Sequence, residues 1–354
     1  MSRLAKHILA LLRCCLYTRA IDRRLFGWAV LRQCAGVMVV FVLGSQAPVQ
    51  AAEQDLSVWL KSLHDAPLKH TYQGTMVINV DAQMVTARIA HALEEGVPVE
   101  RVDVLTGQSR TSFRHGSRVI TLWPESKRWV SESREDLGVF PGATGVALER
   151  VSQFYRLKDL GDDRVAGRKV RAFEIFPSDD MRWGYRVWRD QNTHLIVKIQ
   201  TLSTQPQQVL EQSAFTTLET GQTVDAAPIL RDSQPPQGYE VSQLEVRPVR
   251  PETMGLRYVA GPPGFLPMRA QLPKDQQAPQ PQLPLQWLFS DGLASVSVFY
   301  EPSAHVGAAT VERAIRQGAT HTLLRETQDM RLTLVGEVPL QTLVQIANGI
   351  RLDR

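Results

Sequence analysis

The sequence predicts a mainly β protein of α+β type in two domains, and three observations predict it. The chain has 354 residues, more than a single core usually serves. Alternating, strand-like segments punctuated by Gly and Pro recur from His70 to about Thr220. A stretch poor in bulky apolar residues, Gly221 to Gly238 with Pro228, Pro235 and Pro236, then separates this meander from a second set of strands. An apolar fraction of 43% and a charged fraction of 21% suit a packed core and exclude wholesale disorder.

Residues 1–52 differ in kind. Arg3, Lys6, Arg13, Arg19, Arg23, Arg24 and Arg32 lead into the apolar run Ala35 to Gly44 and the small-residue segment Ala47-Pro-Val-Gln-Ala-Ala52. This is the pattern of an export signal cleaved after Ala51 or Ala52. The apolar run is about ten residues, short of the roughly 20 that span a bilayer. A soluble periplasmic chain starting near Glu53 is expected. The leader holds seven of the 40 basic residues and one of the 36 acidic ones, leaving 33 and 35, a net charge of −2. The basic balance of the whole chain therefore gives no reason to expect a nucleic-acid partner. Cys14, Cys15 and Cys34 all lie in the leader, so the remainder has no disulfide, thiol nucleophile or cysteine metal site. No lipobox-like run precedes Cys14 or Cys34, and no lipid anchor is expected.

The first element is a helix. In Asp55 to Asp65 the apolar residues Leu56, Trp59, Leu60 and Leu63 fall at helical spacing, with Asp55 as N-cap. Tyr72 to Val80, Gln83 to Leu93, Val99 to Leu105, Arg118 to Leu122 and Lys169 to Phe176 alternate as strands of an antiparallel meander. Trp183 to Gln200 reads as a hairpin, with turn chemistry at Asp190 to Thr193. Small and apolar residues from Pro141 to Val151 suggest a short helix across that sheet. These residues define a first domain over 53–220, and 221–238 reads as a linker. Beyond it, Tyr239 to Val246, Leu256 to Val259, Leu285 to Phe289, Ala294 to Glu301, Thr320 to Glu326 and Met330 to Val335 read as strands, and Leu340 to Ile350 as an amphipathic helix. A smaller α+β domain over 239–354 is expected, with Pro273 to Pro284 as an extended Gln- and Pro-rich loop.

Catalytic patterns are missing: there is no Gly-x-Ser-x-Gly elbow, Walker loop, Gly-x-Gly-x-x-Gly fingerprint or His-Glu-x-x-His helix. His64, His70, His91, His115, His194, His305 and His321 are scattered without metal-ligand spacing, and Asp179-Asp180 follows Pro177-Ser178 as a solvated turn would. The chain is read as a non-enzyme with no cofactor.

Aromatic residues are plentiful before residue 220. A many-stranded sheet with one or two helices has a concave face to fill, and a half-open antiparallel barrel can contain an apolar ligand such as an acyl chain. Candidates to line such a cavity are Trp59, Leu63, Phe113, Trp123, Trp129, Phe140, Phe154, Trp183 and Tyr185. For any one of them, ordinary core packing is the competing reading.

The run Phe289-Ser-Asp-Gly-Leu-Ala-Ser-Val-Ser-Val-Phe-Tyr-Glu-Pro302, then His321-Thr-Leu-Leu-Arg325, Leu334-Val-Gly-Glu-Val-Pro339 and Leu343-Val-Gln-Ile-Ala-Asn348, resembles the RseB/MucB family of periplasmic regulators of the sigma-E envelope stress response. Tyr72-Gln-Gly-Thr75 and the Tyr185 to Leu195 hairpin extend the resemblance through the first domain. It implies a protein that binds the periplasmic part of an RseA- or MucA-type anti-sigma factor and shields it from a DegS-type site-1 protease. It also implies a first domain similar to the LolA/LolB carriers, in which lipid or lipopolysaccharide binds and releases the partner. Arg110, Arg114 and Arg118 near the mouth would then pair with ligand phosphates. Partner binding would involve the second domain with the linker and part of the first, by strand addition at Ser295 to Tyr300, where Val296, Val298 and Tyr300 read first as sheet core, or at the loop Gly261 to Phe265, with Phe265. The alternative reading is a LolA-like carrier of lipids or lipoproteins, against which the second domain argues. The oligomeric state is left open, a homo-oligomer included.

Overall fold

The computed structural model describes residues 55–133, 146–204, 206–221, 224–274, 284–303 and 310–353. The expected leader, Phe140 and most of the Pro273 to Pro284 loop lie outside the described residues. Helix α1 (Leu56–Asp65) starts where expected: the Asp55 carboxylate accepts from the Ser57 amide at 2.8 Å. A 3-10 turn, Ala66–Leu68, leads into β1 (Tyr72–Val80), β2 (Gln83–Glu94), β3 (Val97–Val104), β4 (Arg110–His115), β5 (Arg118–Trp123) and β6 (Arg128–Ser133). Helix α2 (Val146–Phe154) precedes β7 (Tyr155–Val165), β8 (Arg168–Pro177), β9 (Gly184–Asp190), β10 (Ile196–Leu202) and β11 (Val209–Thr220). After α3 (Ala226–Asp232) come β12 (Glu240–Leu244), β13 (Val246–Val249), β14 (Leu256–Tyr258), β15 (Leu266–Pro273), β16 (Leu285–Ser290), β17 (Ser295–Pro302), β18 (Val311–Gln317), β19 (Thr320–Glu326) and β20 (Met330–Gly336). Helix α4 (Leu340–Gly349) and β21 (Ile350–Leu352) end the described chain.

Twelve strands form one open sheet in the order β12-β6-β5-β4-β3-β2-β1-β11-β10-β9-β8-β7. Its pairs are antiparallel except β12 with β6, and β12 and β7 are left as edges, so the barrel is open. Helix α1 fills the concave face: Trp59, Leu60 and Leu63 pack with Tyr72, Met76 and Ile78 of β1, Ile89 of β2, and Phe173 and Val187 of β8 and β9. Each such side chain contributes about 1.5–3 kcal/mol. The Gly74 of the Tyr72-Gln-Gly-Thr75 motif has a physical cause, because a Cβ there would lie 2.2 Å from the Thr217 carbonyl oxygen across the β1–β11 bulge. The hairpin of β9 and β10 is set by Asp190, whose carboxylate accepts from the amides of Asn192 and Thr193 and from Arg168 Nε.

The stretch 221–238 is more than the loose linker expected. It carries α3, capped by Asp225, whose Ile229 is buried on the convex face with Ala92, Val99, Phe113, Ile120 and Trp129. The next strand, β12, lies in the first sheet although it falls within the stretch expected to form the second domain. Only Glu245 separates it from β13 at the edge of the second, seven-stranded sheet, ordered β13-β15-β16-β17-β20-β19-β18. Helix α4 covers one face of that sheet with Leu343, Ile346 and Ala347. No helix among the described residues is long and apolar enough to cross a membrane.

Candidate functional site

The described residues expected to line one cavity lie in four places. Trp59, Leu63, Phe154 and Tyr185 belong to the concave core, Phe154 at its rim. Phe113 and Trp129 face the other way, into the cluster under α3, where Trp129 Nε1 donates to the Ser233 carbonyl at 2.9 Å. They therefore line no concave cavity, because adjacent residues of a strand point to opposite faces. Trp123 is half-buried beneath the Arg128 guanidinium, and Trp183 reaches the second domain. Among the described residues, the space on the concave face bounded by Leu63, Pro67, Tyr72, Leu195, Ile196, Phe215 and Leu218 is about 10 Å³, room for roughly one water.

Helix α1 is held down by a buried polar contact. His91 is sealed from solvent, with Nδ1 3.0 Å from Glu100 Oε1 and Nε2 2.8 Å from the Pro67 carbonyl, and its ring stacks on Tyr72 at 4.5 Å. The turn that follows α1 is thus tied to β2 and β3.

The three arginines expected at one phosphate do not converge. Arg110 and Arg114 are buried on the concave side of β4. Arg114 pairs in register with Val119, so its neighbour Arg118 points to the convex face, where it stacks over Trp129 and donates to Ser131 Oγ. Of the two readings of the candidate partner-binding strand, the structure shows sheet core. β17 is hydrogen-bonded on both sides, to β16 and β20, and Val296, Val298 and Tyr300 are core residues facing α4, so strand addition there is excluded. Phe265 is buried rather than presented on an exposed loop.

What the structure does bring together is the junction of the two domains. The turn between β16 and β17 carries Asp291, Gly292 and Leu293, and Leu293 inserts into the core of the first domain. Beside it, Arg182 Nε donates to Asp291 Oδ2 at 2.8 Å, with both side chains fully buried. Such a pair survives only if its remaining bonding capacity is met. Asp291 Oδ2 also accepts from the Tyr155 hydroxyl at 2.9 Å, and Oδ1 from the amides of Leu293 and Ala294. Arg182 donates its other nitrogens to Asp179 and to the Pro263 carbonyl. Its guanidinium lies 4.6 Å from the Phe154 ring centroid and 5.3 Å from that of Phe265. Burial, reinforced by the Asp291 carboxylate, pushes the Tyr155 hydroxyl well above its ordinary range, so it stays a donor.

Three further contacts flank this pair. Trp183 Nε1 donates to the Ala319 carbonyl at 2.8 Å, with its ring 6.0 Å from that of His321. Gln341 and Thr342, in the first turn of α4, donate to the carbonyls of Asp180 and Met181. The Gly318 amide donates to Asp81 Oδ2 at 2.7 Å. An open cleft of about 530 Å³, lined among others by Lys158, Phe176, Pro177, Asp179, Asp180 and Leu202, runs beside the junction and shares Asp179 with it. The sequence from Phe289 to Pro302 carries the family resemblance but names no contact between the domains. The signal was an Asp-Gly turn whose flanking residues are too apolar for a solvated loop. Among the described residues, no group of three or more His, Cys, Asp or Glu side chains is placed to hold a metal ion.

Comparison with known proteins gives matches along nearly the whole described chain. The family model for the MucB/RseB N-terminal domain matches residues 55–237, and that for the MucB/RseB C-terminal domain matches residues 233–351. The sigma factor AlgU regulatory protein MucB of Pseudomonas aeruginosa is 30% identical over 318 residues, covering 88% of this chain and 96% of that protein. The sigma-E factor regulatory protein RseB of Haemophilus influenzae is 23% identical over 314 residues, covering 85% and 91%. Among solved structures, the MucA/MucB complex of Pseudomonas aeruginosa is similar with a TM-score of 0.65 and 28% identity, covering 85% of this chain and 99% of the matched one.

Proposed function

This chain belongs to the MucB/RseB family, and from that membership we propose that it is a periplasmic regulator that binds the periplasmic segment of a MucA/RseA-type anti-sigma factor. The observation that carries the reading is the likeness, over nearly the whole described chain, to a MucB solved in complex with MucA. The bound segment is shielded from site-1 proteolysis, and lipid or lipopolysaccharide entering the concave face of the first domain releases it. A regulator of this kind needs no catalytic group.

Two features support a route for release. The concave face holds α1 in place of a ligand, so an acyl chain that enters must expel Trp59, Leu60 and Leu63 from the sheet. Leu293 and Tyr155 belong to that same core and also to the domain junction, so a change under α1 reaches the second domain through contiguous packing. Arg110 and Arg114, buried on the concave side, are the basic residues that the reading assigns to a ligand phosphate there. The ligand acts by linkage: it shifts partner binding by its differential affinity for the two states and no more.

The test is a cleavage assay of the anti-sigma factor's periplasmic domain with a DegS-type protease. Cleavage slowed by stoichiometric protein and restored by lipopolysaccharide agrees with the proposal. Unchanged cleavage rates at saturating protein contradict the shielding role.

A further inference from the structure

Exposed large apolar side chains are scattered over the described surface, but three of them, Val259, Leu266 and Met268, fall within ten residues. No other described stretch of that length holds more than two. They are 57%, 44% and 41% exposed. The run Val259-Ala-Gly-Pro-Pro-Gly-Phe-Leu-Pro-Met268, between β14 and the start of β15, has no charge and no side-chain nitrogen or oxygen. Its middle is a turn in which the Phe265 amide donates to the Pro262 carbonyl at 3.2 Å. Its two feet meet over Phe289: the Tyr258 ring lies 4.8 Å from that of Phe289, and Pro267 stands opposite Phe289 in the β15–β16 register. Buried Phe265 roots the turn, which leaves Val259, Leu266, Pro267 and Met268 facing outward. An uncharged patch of this kind marks an interaction surface.

The rim of the patch toward β13 is basic. Arg257 and Arg269 flank the run in sequence. Val249 of β13 pairs with Ala270, so the antiparallel chain runs on to Arg250 alongside Arg269. Arg247 and Arg250 are exposed and form no ion pair among the described residues, and Asp353 pairs with Arg257. The edge does not suit an added strand. β13 covers β15 only from Ala270 to Pro273, and the uncovered part carries Pro267, which has no N–H, and a bulge between Pro267 and Arg269. A bilayer needs no ladder partner: apolar side chains enter its headgroup region while arginines pair with lipid phosphates. We propose that the 259–268 run is a membrane-docking loop that seats the second domain on an anionic bilayer surface. This contact is separate from the concave face of the first domain and does not depend on ligand entry there.

The test uses the chain from Glu53, which holds every described residue and no cysteine of its own. Met268→Cys carries an environment-sensitive fluorophore, and the probe surface is vesicles of phosphatidylethanolamine and phosphatidylglycerol at low salt. Emission from position 268 should shift to the blue on these vesicles. In a flotation assay of unlabelled protein, Arg247→Gln and Arg250→Gln should each weaken vesicle binding roughly fivefold. Leu266→Glu should weaken it roughly tenfold or more. Vesicles of phosphatidylcholine alone, or salt raised to about 0.5 M, should also weaken it. All three replaced side chains are exposed, so thermal unfolding of these variants should match that of the parent chain. Absence of flotation on anionic vesicles overturns the proposal. Flotation with an unmoved probe, or flotation indifferent to Leu266→Glu, places the lipid contact elsewhere, the concave face included, and overturns it as well. A blue shift given by the anti-sigma factor's periplasmic domain and not by vesicles assigns the run to that partner and likewise overturns it.

Discussion

Arg182 and Asp291, one on the loop between β8 and β9 and the other at the tip of the β16–β17 turn, meet 2.8 Å apart with both side chains sealed from solvent. The pair sits where Leu293 enters the first core and where the Phe154 and Phe265 ring centroids lie 4.6 and 5.3 Å from the guanidinium. Removing one partner leaves the other charge buried and unpaired. Arg182→Met or Asp291→Ala should therefore cost about 3–5 kcal/mol. The double variant Arg182→Met/Asp291→Leu should cost well under the sum. Urea unfolding of the four proteins measures both.

Gly264 has φ +87°, and a Cβ there would lie 2.6 Å from the Phe154 ring. Gly264→Ala adds left-handed backbone strain to that clash, at a cost of roughly 1–3 kcal/mol. Because Phe154 abuts Arg182, the loss should be smaller in an Arg182→Met background, a coupling that a double-mutant cycle reads directly.

Burial holds the His321 imidazole below its ordinary value of 6.5, with Arg316 adding to the effect and the Val338 carbonyl opposing it. The folded state thus prefers neutral His321. Its contribution is fully present above about pH 6.5 and is lost as pH falls from there towards the lower folded value. Burial shifts His194 in the same direction. Unfolding free energies at about pH 7.5 and about pH 5.5 should differ less in His321→Gln than in the wild type, with His194 supplying part of the remaining slope.

Trp59 is 1% exposed, and its ring lies 5.0 Å from that of Phe173 beneath α1. Trp59→Ala should destabilise by about 3–5 kcal/mol. The release route proposed above predicts that the void it leaves also strengthens uptake of a fluorescent fatty acid. A stability loss of that size with unchanged uptake would place the lipid elsewhere.

How much of this was legible depends on sequence distance. α1, α4 and the β9–β10 hairpin follow local periodicity and capping, so Leu56, Trp59, Leu60, Leu63 and Asp190 announced them. α3 also had a local signal in Asp225 ahead of Ile229, which the surrounding prolines obscured. The Arg182–Asp291 pair joins residues 109 positions apart, and nothing near either names the other. Faces are not legible for the same reason: strand registers decide that Arg118 turns away from Arg114 and that β17 is central. Aromatic content alone could not separate the concave core from the α3 cluster or the domain junction.

The measurement closest to the central claim is a calorimetric titration of the purified chain with the periplasmic domain of the anti-sigma factor, repeated with added lipopolysaccharide. Saturable binding that weakens as the lipid is raised is the predicted result. No heat of binding at tens of micromolar, about 10⁻⁵ M or −7 kcal/mol, with or without the lipid, would contradict the regulator assignment.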